Sequence, residues 1–450
     1  MAESWFDGVN VSTFSRPLLG AADAASAQQT LGVFHTVRAA VRAEDYLSAG
    51  QTAAQRRIAL QAALDECGTS GRYLSIPSGT YAVDGERLNV PTGVIVESRR
   101  GLTRLQTSVD RAATKPVIQM SGNYAKLSGI MIESTFAGTP TISDTNAAIV
   151  ITGNDCVVEG FDIAGRFYVG ITNRECARTL IADGRVRGVR NRGVYNYLNV
   201  TDVLVRGVYV DGNNLGTSTP YTDYGFNTNP GGSVASNIRY RDCVVRNYGF
   251  HGVSLSERCG PGSVHGCHVE TSSATGVGFL LQDANGYLLE DGMMSMNSAY
   301  GGLVGFYTVG SMFSIINTAI ARNQSGSGSA GFVFVDTNYA VATGLVSRQF
   351  GAQSGVQLTA TAANNMRRTM VGPAVTFGGT YGAFVTGAAG GSSHVVLIGF
   401  GAYGASVYGV IADAAVDRLA IAGLSAVGNG VANLDISGAT NTTTAATMTS

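Results

Sequence analysis

The sequence predicts an all-β chain wound into a solenoid, a parallel β-helix of about a dozen coils, and three observations carry that expectation. Composition is the first. Sixty of the 450 residues are glycine and only 14% are charged, while Val, Ile, Ala, Asn, Ser and Thr abound. That mixture describes short strands joined by tight turns, with too little charge for a disordered chain. Repetition is the second. VLVRGVYVDG, IRYRDCVVRN, GSVHGCHVET, LLEDGMMSMN, SIINTAIARN and AVATGLVSRQ recur at offsets of about 24 to 27 residues apart from one longer insertion between the first two, a period typical of stacked supersecondary units. Each unit carries a second strand, as in RGVYNYLN, HGVSLSE, VGFLLQD and AGFVFVD. The third is a polar column, Asn191, Asn247, Thr271, Asn297, Asn323 and Gln349, interrupted by Gly212. Residues repeated at one turn pair along the stack and satisfy turn backbone.

The chain divides into four segments: 1–33, 34–122, 123–438 and a polar tail over 439–450. In the first, LLGAADAASAQQTLGV reads as a short alanine-rich helix closed by Leu31-Gly32. It is too short to be stable alone and needs a partner surface or further copies of itself. The second holds the helix AAQRRIALQAALDEC, with Ile58, Leu60, Ala62, Ala63 and Leu64 on its apolar face and Gly68 as its stop. Short strands punctuated by Pro-Ser-Gly and Pro-Thr-Gly turns follow it. The third segment holds the repeats.

Ala59 to Asp65, Tyr73 to Val83 and Leu88 to Val96 together resemble the start of the pectate-lyase-like right-handed parallel β-helices. In that family the helix closes the open end of the solenoid. The family's Asp-Asp-Thr ahead of the helix is here replaced by SAGQTAAQRR. Leu18, Leu19, Ala21, Asp23, Ala24, Ala27, Leu31 and Gly32 resemble an element of bacteriophage tail fibres and tailspikes that joins the virion-attachment segment to the receptor-binding part. The two resemblances imply a homotrimeric tailspike on the virion. It would attach to a phage tail or baseplate protein through its N-terminal segment, and bind and often depolymerise a bacterial surface polysaccharide.

Composition excludes other classes. The net charge is −1, so no broad field attracts nucleic acid or anionic membrane. The start has no basic segment leading into an apolar run, and no stretch reaches about 18 uninterrupted apolar residues, so neither Sec export nor membrane insertion is expected. No P-loop, dinucleotide fingerprint, HExxH or GxSxG stands in a fitting context, and neither a cofactor nor a metal is expected. Cysteines 67, 156, 176, 243, 259 and 267 lack zinc spacing and read as buried free thiols. Cys243 and Cys267, at matching repeat positions, leave a bridge geometrically open.

Candidate chemistry concentrates in the middle coils. Glu257 and Asp283 close equivalent strands one coil apart, in a column that continues through Val309 to Asp336. Two carboxyls so placed serve either as the acid and the nucleophile or base of a glycoside hydrolase, or as solvated turn residues and ligands of a structural cation. His251 and Arg258 flank Glu257, a base and a uronate-neutralising cation if the reaction is a lyase elimination instead. Arg190, Asp211, Arg246 and Glu270 form a charged column that reads as a surface ion ladder or a glycan contact. The insertion at 213–232 carries Tyr221, Asp223, Tyr224 and Phe226, suited to stacking on sugar rings or to a subunit contact. A non-catalytic spike that only binds glycan or another tail protein is the rival reading.

Overall fold

The computed structural model describes residues 40–445 apart from 112–114, 213–221, 257–258, 272–275, 284–285, 297–303, 310–312, 317, 325–329, 351–353, 362–365, 367, 388–393, 414–415, 438 and 441. The N-terminal helix expected over 18–33 lies outside the described residues. Val41 to Ser450 form one compact unit.

That unit begins with helix α1, Ala53–Ser70. A capping box starts it: Thr52 accepts from the Gln55 backbone N–H, and the Gln55 side chain accepts from the Thr52 N–H. Gly71, at φ 66°, ends it, where only glycine turns left-handed without strain. Gly68, expected as the stop, lies inside the last turn, where it passes the ring of Pro91. The buried face is Leu60, Ala63, Leu64 and Cys67. Ile58 is 57% exposed and Ala62 is also exposed, because the helix lies across the end of the coils and not within them. Gln61 acts as a substitute strand edge: its Oε1 accepts from Asn89 N at 2.7 Å and its Nε2 donates to Asn89 O at 3.0 Å. The open end of the solenoid is thereby kept from pairing with another chain.

Each coil then lays one short strand on each of three faces. Lys126–Ser128, Met131–Ser134 and Ala147–Ile151 make one coil, and Val157–Glu159, Asp162–Gly165 and Val169–Arg174 lie parallel on them in the next. On the first face Leu74, Val96, Leu127, Val158, Ile181, Val205, Tyr240, Val264 and Leu289 stack in register and point into the core. The pairing passes residue 122 without a break. It runs into the polar tail, where Thr443–Ala445 adds a last strand beside Leu419–Ala422. All six cysteines are buried and free.

One column on the third face is glycine: Gly170, Gly193, Gly225, Gly252, Gly278, Gly305, Gly331, Gly355, Gly382 and Gly409 stand opposite one another by register. A Cβ on Gly225 would lie 2.4 Å from Val245 Cγ1, and one on Gly355 2.4 Å from Thr376 Cγ2. The second face presses there on bare third-face backbone.

The expected amide column is rearranged. Asn191 donates to Asp223 and Asn247 to Asp211, because each turn holds a carboxylate nearer than the next amide. Asn323 and Gln349 are in register as expected, while Asn297 lies outside the described residues. The buried polar ladder runs inside the core instead: Asn173 donates to Asn196 at 2.7 Å, and Asn196 donates to Thr228 at 3.0 Å and to the Tyr240 hydroxyl at 2.9 Å. Satisfied in this way, these groups lock neighbouring coils in one register.

Gly225→Ala is expected to cost at least about 2 kcal/mol, because backbone and valine must both move to admit the methyl. Denaturant unfolding of the variant against the parent measures it.

Candidate functional site

The site is read from the outward side of the third face. Register sets Ala147, Val169, Arg192, Tyr224, His251 and Val277 in one column, and Val150, Thr172, Tyr195, Asn227, Ser254 and Leu280 in the next. The ends of this strip are apolar and buried: Ala147, Val150, Val169 and Tyr195 form one cluster apart from the core, and Val277, Leu280, Ala330 and Val333 another. Between them the outward side chains are cationic, aromatic and hydrogen-bonding.

Arg192 is the centre. Its side chain is only 17% exposed, and its Nη1 donates to Asp144 Oδ1 at 2.8 Å. Nε donates to Asn227 Oδ1 at 3.1 Å, and the guanidinium lies 4.0 Å from the Tyr195 ring centroid and 5.5 Å from that of Tyr224. Asp144 is fixed in turn, since its carbonyl accepts from the Thr172 hydroxyl at 2.7 Å. A guanidinium held by a carboxylate, an amide and two ring faces keeps one orientation.

Asp223 precedes Tyr224 and is half-buried. Burial raises its pKa above the ordinary carboxylate value, against the opposing effects of the Asn191 amide, which donates to it at 2.6 Å, and of Arg190 and Arg192. Tyr224 stacks on Phe250 with ring centroids 6.3 Å apart and an interplanar angle of 24°, and meets His251 at 5.3 Å. Phe250 is 50% exposed, so the pair presents an aromatic shelf to solvent. Burial pushes the His251 imidazole down to about 4. The ring is therefore neutral near pH 7 and a weaker base than free imidazole.

Two buried polar atoms here have no hydrogen-bond partner among the described residues: Asn191 Oδ1 and His251 Nδ1. Unsatisfied buried polar atoms are costly, and they are tolerated where a ligand supplies the partner.

Asp223, Tyr224 and His251 come together in this site. Phe226 does not. It follows the inward parity of its strand, is 0% exposed and packs on Tyr240, so it stacks within the core and on no ligand. Asp211, Arg246 and Glu270 lie on the second face, where Arg246 Nε meets Glu270 Oε2 at 3.1 Å and Asp211 accepts from Asn247 at 3.0 Å. Arg187, and not Arg190, stands opposite Asp211. Arg190 reaches Pro140 O at 3.3 Å instead. Asp283 is an exposed turn residue at φ 51°. Asp336, at φ 50°, accepts from the backbone N–H of Thr361 at 2.7 Å and from its hydroxyl. Both are acids at left-handed turn positions, which Asp tolerates well. Glu257, Arg258 and Tyr221 lie outside the described residues.

Sequence reading missed Asp144, Tyr195 and the role of Asn191. A usable signal existed: the outward site residues Arg192, Tyr224 and His251 each immediately precede a glycine of the third-face column.

No protein-family model and no curated protein matches the sequence. Solved structures do. The surface adhesin PfbA of Streptococcus pneumoniae matches with a TM-score of 0.56 at 12% identity, over 86% of this chain and 92% of the adhesin. The A-module of the Azotobacter vinelandii mannuronan C-5 epimerase AlgE6 matches with 0.54 at 15% identity, over 90% and 99%. The catalytic unit of a GH87 α-1,3-glucanase from Streptomyces thermodiastaticus matches with 0.56 at 13% identity, over 92% and 69%. The likeness is one of fold.

His251 sets a pH expectation. Its unfolded-state pKa is near 6.5 and its folded one about 4, so between these values the unfolded chain binds the proton first. Stability is then full above about pH 6.5 and falls as pH drops through this window, by roughly 2 kcal/mol once water at the partly exposed ring is allowed for. Thermal midpoints of His251→Phe measured from pH 7 to pH 4 should lose that part of the decline.

Proposed function

We propose that this β-helix binds a polysaccharide across the third-face site and cleaves it as a glycoside hydrolase, with Asp223 as proton donor to the leaving glycosidic oxygen. The observation that carries the reading is Asp223 itself. It is a carboxyl group whose burial favours the protonated form, next in sequence to Tyr224 of the aromatic shelf and within the influence of Arg192, which is ion-paired to a second carboxylate, Asp144. Acid–base hydrolysis of a glycoside needs two carboxyl groups in unlike surroundings. Tyr224 and Phe250 offer ring faces to the apolar side of a sugar, and Asn191 Oδ1 and His251 Nδ1 offer hydrogen bonds to its hydroxyls. The epimerase and glucanase neighbours support a carbohydrate role for this architecture without fixing a substrate.

The resemblance at Leu18 to Gly32 supports the narrower reading that the protein is a homotrimeric phage tailspike, the N-terminal segment its joint to the virion and a bacterial surface glycan its receptor. Three copies of that segment would bury leucines that one copy cannot. Sedimentation equilibrium of the full chain should give three times the 46.5 kDa chain mass. A monomer would remove this part of the reading.

The chemistry is tested on a panel of capsular, O-antigen and exopolysaccharides by following reducing ends and unsaturated uronates. Reducing ends without unsaturation are expected. Asp223→Asn should abolish cleavage while leaving glycan affinity within a few-fold. It should also raise the unfolding midpoint at neutral pH, because a carboxyl with a raised folded pKa loses stability as pH rises above its unfolded value near 3.8. Tyr224→Ala should weaken binding about tenfold. If Asp223→Asn cleaves normally while Glu257→Gln or Asp283→Asn does not, the catalytic centre lies at the strand-end carboxylates instead.

A further inference from the structure

A cleft of about 430 Å³ opens where α1 crosses the first coil, lined by Arg57, Gln61, Glu86, Arg87 and Asn89. We infer that it is a second binding site, independent of the third face, that holds a small oxyanion between the Arg57 and Arg87 guanidiniums. The other charged side chains around it are engaged by neighbours within the fold. Glu86 is ion-paired to Lys115 at 2.5 Å. Asp84 accepts from the Thr107 hydroxyl at 3.0 Å and from the Ser108 N–H and hydroxyl, each at 2.9 Å. Arg111 is buried and donates to the carbonyls of Glu86, Lys115 and Pro116. The side chains of Arg57 and Arg87 make neither a hydrogen bond nor an ion pair among the described residues, and Glu86 beside them is committed to Lys115, so both guanidiniums border the cleft with their donors free.

The local field agrees. The Glu86 carboxyl is held below its ordinary value first by Lys115, with Arg57 and Arg111 adding to the effect. The floor is preformed, since the Gln61 amide is clamped in both directions to the Asn89 backbone. The Asn89 side-chain amide has no partner among the described residues and borders the space, available to a ligand hydroxyl. Forked guanidiniums match the geometry of carboxylate, sulfate and phosphate. The volume suits a ligand of one or two sugar rings. The shared chemistry is therefore an oxyanion, drawn either from an acidic sugar or from free inorganic phosphate.

Isothermal titration of the full chain with sodium glucuronate, sulfate and inorganic phosphate, at matched ionic strength in chloride, tests the site. One equivalent of saturable binding is expected, weakened about tenfold or more in the Arg57→Ala/Arg87→Ala double variant and still further by Arg87→Glu. Neither side chain is in the core, so the thermal midpoint of the double variant should match the parent. Glucuronate binding tighter than phosphate identifies an acidic sugar as the occupant, and the reverse identifies free phosphate. Tyr224→Ala should leave this binding unchanged, which separates the cleft from the third-face site. Absence of saturable binding by all three anions, undiminished affinity in the double variant, or loss of binding in Tyr224→Ala would each overturn the inference.

Discussion

The contact on which this solenoid depends is backbone against side chain, where the glycine column of the third face meets the second. Val186, Val210, Val245 and Val269 each fill the space that a Cβ on Gly170, Gly193, Gly225 or Gly252 would need. Later coils use Ser347, Thr376 and Ala402 against Gly331, Gly355 and Gly382. Removing the Cβ lets the two faces close to contact, so that along this line small side chains fill the space between them. The column also fixes height. A residue immediately before each glycine is projected outward at the same level in every coil, and the register of the parallel ladder carries that level along the axis.

From this constraint the composition of the candidate site follows. Because Arg192, Tyr224 and His251 occupy equivalent positions on successive coils, they lie about one strand spacing, some 4.8 Å, apart at the backbone. That is close enough for stacking and for the guanidinium to share two rings. The same closeness makes the site costly. Asp223 is held in a protonation balance that burial shifts, His251 is deprived of its proton, and Asn191 leaves an acceptor unsatisfied. Packing alone would favour apolar residues here, as the coils on either side show with Val169 and Val277. Polar groups kept at a loss to stability in an otherwise apolar strip are the ordinary mark of a functional site.

The fold was legible because repetition writes it many times over. Strand parity, the offset between units and the helix closing the first coil are each signalled by residue type alone. The site was less legible because it depends on register, and register turns on single residues. Counting from strand ends places Val309 level with Asp283, yet Val309 stands opposite Gln282. One extra residue is absorbed between Arg246 and Tyr248, where the pairing with the next coil shifts. Asn247 sits there at φ 56°, a conformation that asparagine tolerates. A bulge of this kind leaves no periodic trace, and a slip of one residue exchanges inside for outside. Phe226 shows the consequence: three residues after Asp223 and two after Tyr224, it reads as part of the same aromatic loop but belongs to the core.

For the proposed activity, the third-face groups suit hydrolysis better than elimination. Elimination from a uronate needs a base strong enough to remove a carbon-bound proton, together with a cation to neutralise the carboxylate. His251, at about 4, is too weak a base for that task near neutral pH. Tyr224, its pKa raised chiefly by burial, stays a neutral phenol. Arg192 is already neutralised by Asp144 and oriented by Asn227. What remains is a carboxyl group whose burial favours the proton and a carboxylate ion-paired to Arg192, two groups in the unlike surroundings that the proposed acid-catalysed departure of a sugar requires. Burial of Asp223 is thus both what costs the fold stability as pH rises and what the proposed hydrolysis would draw on, since one desolvation raises the carboxyl's pKa and disfavours its charged form.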